Sequence, residues 1–277
     1  MKQYQATLLS HLANYAKTRL GVFEEGTFKE KKYPHILPSR LRFLNFLEPV
    51  RSELQTYLKQ NPQIKLHQFF HHLNSSQAFA FNFFFPFFAA GGKSAKALST
   101  VLGVDADVKK WAFEVILDKK ENTNVDVVWK MPGDVSIFCE VKLSENGFGT
   151  AKNDDRHKKK LVDIYCPRLE GLVSGQLLEE QVFFDHYQLL RNISLMARSE
   201  KDRLVLLMPR ANESLSPQLK TVLAGTQPEV RNRIHVAYIE DSLSALMTSQ
   251  SVTPELRCYA SSLWEKYVPS IAGQALA

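Results

Sequence analysis

The sequence predicts a mixed α/β fold, a β-sheet core flanked by helices, with a helical N-terminal part. Three observations carry this reading. Residues 111–145, WAFEVILDKKENTNVDVVWKMPGDVSIFCEVKLSE, read as three consecutive strands. Two more short apolar runs, RLVLLM at 203–208 and RIHVAYIE at 233–240, read as buried strands. Apolar residues at helical spacing flank these runs at 4–20, 181–197 and 253–267. No internal repeat or low-complexity linker divides the chain. The economical reading is one α/β domain over 1–277, with a helical extension at 1–66, a core at 67–210 and a C-terminal strand and helices at 211–277.

In chain order, Leu8, Leu9, Leu12, Tyr15 and Leu20 set the first helix, and Gly21 is its stop. Residues 23–38, with the run KEKK at 29–32, read as an exposed loop. Ser39 caps a helix over 40–47, limited by Pro49, and a further helix over 51–59 ends at the Asn61-Pro62 turn signal. Asn74 or Ser75 caps a phenylalanine-rich helix in which Ala78, Phe81, Phe84 and Phe85 form part of an apolar surface. Gln77 sits at the head of that helix, where a buried amide needs partners. His67, His71 and His72 have no metal-ligand spacing and read as packing or capping residues. Gly91-Gly92-Lys93-Ser94 is not a phosphate loop, because Phe87 stands where the first glycine belongs and no strand precedes it. A short helix over 96–102 ends at Gly103. Residues 152–165 read as part helix and part loop, with His157 in an exposed stretch, and 242–249 as a helix.

Composition is that of a soluble globular protein, 44% hydrophobic and 23% charged. Thirty-five basic against 29 acidic residues give +6 and a pI near 9.1, compatible with a polyanionic partner. Cysteines 139, 166 and 258 are odd in number and far apart, which argues against a disulfide framework or zinc site and for a reducing interior. The first 21 residues lack the apolar core of a secretory signal. The run at 78–90 is too short to span a bilayer and contains Asn82 and Pro86. A cytoplasmic location is expected.

Side chains alternate faces along a strand. The first strand places Trp111, Phe113, Val115 and Leu117 on one face and Glu114 on the other. The second sets Val125, Val127 and Trp129 against Asp126, and the third sets Ile137, Cys139 and Val141 against Glu140 and Lys142. If the second hairpin is centred on Gly133, residue i opposes 266−i, and Asp126 faces Glu140. If the first is centred on Lys120, residue i opposes 240−i, and Glu114 faces Asp126. Opposed residues stand roughly 4.5–5.5 Å apart at Cβ, so three carboxylates would form a row with Lys142 beside it. A slip of one residue at either turn would send an acid to the other face. Such acids repel, and a hard divalent cation resolves the conflict through oxygen ligands.

At these residues the chain resembles the PD-(D/E)xK nuclease superfamily. The matching residues are Asp126 and Glu140-Val141-Lys142, with Glu114 similar to the upstream acid; Val125 stands where the superfamily has proline. Residues 74–85, the E…D…E-x-K strands with Glu145, and YQLLRNI at 187–193 look like a group of bacterial restriction-endonuclease-like proteins. The resemblance covers roughly 67–210 and implies a restriction-endonuclease-like mixed sheet. It implies Asp126, Glu140 and the Val141 carbonyl as ligands of Mg²⁺, replaceable by Mn²⁺, Lys142 as the water-orienting or charge-stabilising group, and Glu114 as helper. Gln77, Glu145, Gln188 and Arg191 are implied as supporting residues.

The expected activity is metal-dependent endonucleolytic hydrolysis of DNA, in restriction, defence or repair, with DNA as partner, no membrane, and a homodimer wherever both strands are cut. The alternative is a nucleic-acid-binding module that keeps the fold without cleavage. The tripeptide pattern alone is common, recurring at 30–32, 107–109 and 118–120; its setting in an apolar strand beside a strand carrying Asp126 distinguishes 140–142. Lys158, Lys159 and Lys160 make at most nonspecific phosphate contacts.

Overall fold

A computed structural model of the chain describes residues 3–118, 121 and 123–269. The N-terminal part contains α1 (Gln3–Thr18), a small hairpin of β1 (Gly26–Phe28) and β2 (Lys31–Tyr33), and α2 (Arg51–Gln60). It is followed by α3 (Ser76–Ala90), α4 (Gly92–Val101) and the strands β3 (Lys110–Ile116), β4 (Asn124–Lys130) and β5 (Ser136–Val141). Then come α5 (Asp155–Lys160), α6 (Cys166–Leu169), α7 (Glu180–Asp185), α8 (Tyr187–Met196) and β6 (Arg203–Met208). The chain closes with α9 (Ser216–Ala224), α10 (Pro228–Arg231), β7 (Ile234–Tyr238), α11 (Ile239–Thr248) and α12 (Pro254–Tyr267). Among the described residues no helix is long and apolar enough to cross a membrane.

The main sheet has the order β3-β4-β5-β6-β7, antiparallel from β3 to β5 and parallel from β5 to β7. Two apolar clusters cover its faces. One contains Val127, Trp129, Ile137, Cys139, Val205 and Leu207 with α1, α3, α4, α11 and α12. The other contains Val128, Phe138, Leu204 and Leu206 with α7, α8 and α9. The mixed α/β architecture agrees with the fold class read from the sequence.

Helix α3 is apolar on every side, and it is buried on every side. Phe79, Phe81, Phe83, Phe84 and Phe87 are all inaccessible. Ser75 caps it, accepting from Ala78 N at 3.2 Å. Pro86 cannot donate to the carbonyl of Asn82, one turn back. That carbonyl instead accepts the Tyr259 hydroxyl at 2.9 Å. The Asn82 side chain accepts from Leu47 N at 2.9 Å and donates to Asn45 O at 2.9 Å and Tyr267 Oη at 2.8 Å. Lys266, fully buried on α12, donates to Asn45 O at 2.6 Å and Asn45 Oδ1 at 2.9 Å. One polar knot thus ties the N-terminal part and α12 to the central helix.

Both strand registers are as expected. Pairs such as Trp129↔Ile137 and Val127↔Cys139 obey the first relation, and Trp111↔Trp129 and Val115↔Val125 the second. Gly133, at φ +77, forms the turn between β4 and β5; the other proposed turn centre, Lys120, lies outside the described residues.

Several local expectations are corrected. Val115 and Leu117 do not share a layer with Trp111 and Phe113, nor Val125 with Val127 and Trp129; they pack in the second cluster. Glu114, between the pairs Phe113↔Val127 and Val115↔Val125, has φ +53, and this left-handed backbone turns the strand over without inserting a residue. The stretch 23–38 contains the β1–β2 hairpin rather than only loop, and the turn after Pro38 is a tighter 3₁₀ helix, Ser39–Asn45. The helix expected over 181–197 is two, broken at His186 with φ −117 and ψ 20. Helices α9 and α10 were not legible, and α11 begins three residues before the expected start at 242.

Burial, reinforced by Arg51, holds the Lys266 amine well below the ordinary lysine range. A lysine that folds neutral but ionises when unfolded penalises the fold at neutral pH, and the penalty fades as pH rises toward its unfolded pKa of about 10.4. The excess in unfolding free energy of wild type over Lys266→Met should therefore grow between about pH 7 and 9.5 in urea titrations. A pH-independent difference would show that Lys266 is charged in the fold.

Candidate active site

The ladder between β4 and β5 ends at Val127↔Cys139, whereas β5 stays paired to β6 through Val141↔Leu207. The two strands therefore part just where Asp126 and Glu140 follow in register. In place of a strand carbonyl, the Asp126 carboxylate accepts the Val141 N–H, at 2.8 Å. A cleft of about 620 Å³ opens there, lined by Gln77, Glu114, Asp126, Glu140, Val141, Lys142, Glu145 and Gln188. His67, Phe69, His72 and Asn74 also line it.

Glu140 is the most enclosed of the acids that line the cleft, 2% exposed. Its Oε1 accepts from Lys142 Nζ at 2.8 Å and Gln188 Nε2 at 2.6 Å. Its Oε2 accepts from Asn192 Nδ2 at 2.9 Å and Arg191 at 3.4 Å. Lys142 also donates to Gln188 Oε1 at 2.7 Å. Residues 188, 191 and 192 are three and four apart on α8 and so share the face turned to the sheet. Gly149 makes room for them. At φ +89, a Cβ there would lie 2.8 Å from Gln188 Oε1.

Glu114 reaches the same cleft from its left-handed position. Its Oε1 accepts from Gln77 Nε2 at 2.9 Å and its Oε2 from Asn124 Nδ2 at 2.8 Å. Gln77 also donates to Lys65 O at 3.0 Å and accepts from His67 N at 2.8 Å, which answers the need of a buried amide for partners. Glu145 Oε2 accepts from Leu143 N at 2.6 Å. Its carbonyl is held by Asn212 at 3.0 Å and Ser214 at 3.1 Å.

Protonation follows from these contacts. Burial and the facing Glu140 push the Asp126 carboxyl well above the usual range, more than Lys142 lowers it. Burial also raises Glu114, against the hydrogen bonds from Gln77 and Asn124. Burial acts to raise Glu140 too, but Lys142, Arg191 and the Lys142 and Asn192 hydrogen bonds outweigh it, and its carboxyl lies below the ordinary value. Burial acts to lower Lys142, and Glu140, Glu145 and Asp126 more than compensate. The resting cluster is an ionised Glu140–Lys142 pair beside a carboxyl that resists ionisation.

The structure brings together Glu114, Asp126, Glu140, Lys142, Gln77, Glu145 and Gln188. Arg191 lies behind the cleft, bound to Glu140 and 3.8 Å from Glu121. Sequence reasoning missed Asn192 and Asn124. Asn192 was within reach of the signal that singled out Gln188, lying four residues further on the same helix. His157 is not an exposed loop residue; it is half-buried in α5, 2.7 Å from Asp154 and edge-on to Tyr187. The oxygen donors of Asp126, Glu140 and Val141 fit a hard cation in kind, and a cation would relieve the conflict recorded in the raised Asp126. Among the described residues, however, no three acidic, histidine or cysteine side chains stand ready as a ligand array, and Glu140 is held by its four donors.

The mixed five-stranded sheet with its flanking helices is of the restriction-endonuclease-like class. The chain belongs to the family described as restriction endonuclease associating with ARP, whose model matches residues 9–268. No curated protein and no solved structure matches the chain.

A carboxyl whose pKa is raised by folding is stabilising only while protonated, so its contribution is present below the unfolded value and lost as pH rises through the folded one. Asp126→Asn should therefore be more stable than wild type near neutral pH in EDTA, by about 1 kcal/mol. Thermal unfolding should show the gap narrowing as the pH falls toward about 4 and vanishing below it. A variant less stable than wild type at neutral pH would contradict this electrostatic picture.

Proposed function

We propose that the protein is a metal-dependent endonuclease hydrolysing DNA phosphodiester bonds by PD-(D/E)xK chemistry, in restriction, defence or repair. The observation that carries this reading is the parting of β4 and β5, which sets Asp126 and Glu140 abreast in one cleft with Lys142 bonded to Glu140. Family membership supports it. ARP, named in the family description, is proposed as an associated partner.

Asp126 and Glu140, with the Val141 carbonyl, would hold Mg²⁺ or Mn²⁺. Bound there, the ion supplies a more acidic water and neutralises charge at the phosphate. Lys142 is a proton donor in this arrangement rather than a base, because its acidic neighbours keep the ammonium charged. Two of its three N–H groups go to Glu140 and Gln188. The third is free to orient water or meet a phosphate oxygen. Gln188 holds the Lys142–Glu140 pair, and Arg191 and Asn192 keep Glu140 ionised from behind. Glu114, anchored by Gln77, adds a further carboxylate for water or a second ion. Glu145 braces the chain just after Lys142. A duplex cutter would often need two such sites, and a homodimer would supply them.

The engagement of both Glu140 oxygens favours one rival, a module that binds nucleic acid without cleaving it. Plasmid, linear and single-stranded DNA, and RNA, incubated with Mg²⁺, Mn²⁺ or EDTA separate the two. Wild type should cut DNA only with metal, and Lys142→Ala should lower the rate by about 100-fold or more. Equal cleavage by the variant would sink the mechanism. Binding without cleavage under every condition would establish the rival.

A further inference from the structure

One stretch of the cleft lining is aromatic. Phe69 is 38% exposed and lines the cleft with His67 and His72. Its ring lies 5.1 Å from that of His72 and 5.2 Å from Phe28, and Phe28 lies 5.4 Å from His72. Phe28 ends β1, so the small hairpin is mounted on the rim of the cleft through this ring cluster. Phe28 pairs with Lys31 across the hairpin, and opposed residues share a face. Tyr33, two residues on, shares it too, with its ring 6.5 Å from Phe28. Lys29 Nζ lies 5.4 Å from the Phe28 ring centre. Lys29 thus lies against the ring cluster, and Lys31 belongs to the same face of the hairpin. Of the nearby acids, Glu24 is paired with Arg40, Glu30 occupies the hairpin turn, and Glu25 precedes the hairpin. Burial keeps His72 uncharged at neutral pH, lowered to about 4, and also lowers His71 and His35. These imidazoles offer flat rings rather than cations.

We propose that this stretch is a stacking platform for an unpaired nucleic-acid strand, with Phe69 receiving a base and Lys29 and Lys31 holding the adjoining phosphates. The inference rests on the nuclease reading and narrows its substrate to single-stranded or locally opened DNA. A base offers its flat face to a protein ring only when it is unstacked, and the interior of a duplex hides that face. Among the described residues the cleft lining carries four acids and one lysine, which is bonded to Glu140, so cations at the rim are what a polyanion entering it requires.

Fluorescence anisotropy of the full-length protein in EDTA tests this, using a labelled strand of about 12 nucleotides and the same sequence closed as a hairpin duplex. Wild type should prefer the single strand. Phe69→Ala should weaken that binding by about tenfold while leaving the duplex unchanged, and Phe69→Trp should restore it. Lys29→Ala with Lys31→Ala should reduce the slope of log affinity against log salt by about 1.4, the value for two single-strand phosphates. Single-strand affinity unaffected by Phe69→Ala, or no single-strand binding at all, would overturn the proposal. Metal-dependent plasmid cleavage, measured in parallel, keeps the two readings apart. Cleavage by wild type with no response to Phe69→Ala in binding rejects the platform and leaves the nuclease. Phe69-dependent binding without cleavage retains the platform and rejects the nuclease.

Discussion

The buried pair of Glu140 and Lys142 is the constraint around which the rest of the site is arranged. An ionised carboxylate in a sheet interior costs several kcal/mol unless it is paired and its lone pairs are filled. Glu140, at 2% exposure, meets that demand through Lys142 on its own strand and three side chains of α8. This requirement fixes where α8 must lie. A side chain at residue 149 would collide with Gln188 of that helix.

The same cluster concentrates features that a fold selected for stability alone would avoid. Asp126 is held where ionisation is unfavourable, Glu114 has a left-handed backbone, and both face Glu140. Strain of this kind persists only where the surroundings enforce it, and it gathers at functional sites. Here the enforcing element is the junction of antiparallel and parallel pairing. Strand β5 is held by β6 to its end, while β4 leaves it two residues earlier. The gap is a cleft whose floor presents side chains and one strand N–H already satisfied by Asp126.

The N-terminal part is not an appendage to this sheet. Gln77 links Glu114 to the backbone of Lys65 and His67, and Gln5 donates to the carbonyl of Ser144, beside Glu145. The knot of Asn45, Asn82 and Lys266 fixes those segments to α3 and α12. Site geometry is thereby coupled to packing far from the carboxylates.

Much of this was legible in the chain because strand periodicity and turn chemistry are local. Gly133 set one register, and apolar alternation placed Asp126, Glu140 and Lys142 on one face before any tertiary contact was known. Gln188 and Arg191 were legible only through the resemblance carried by YQLLRNI at 187–193. What the sequence by itself determined was the strand-borne row of charges and the class of fold able to carry it. What only the tertiary structure decided was the parting of β4 from β5, the left-handed turn at Glu114, the satisfaction of Glu140 by Asn192, and the hairpin that brings Phe28 to Phe69 at the rim of the cleft. These depend on neighbours distant in sequence. No local pattern encodes which long-range partner fills a buried carboxylate's lone pairs or which hairpin packs at the rim of its cleft.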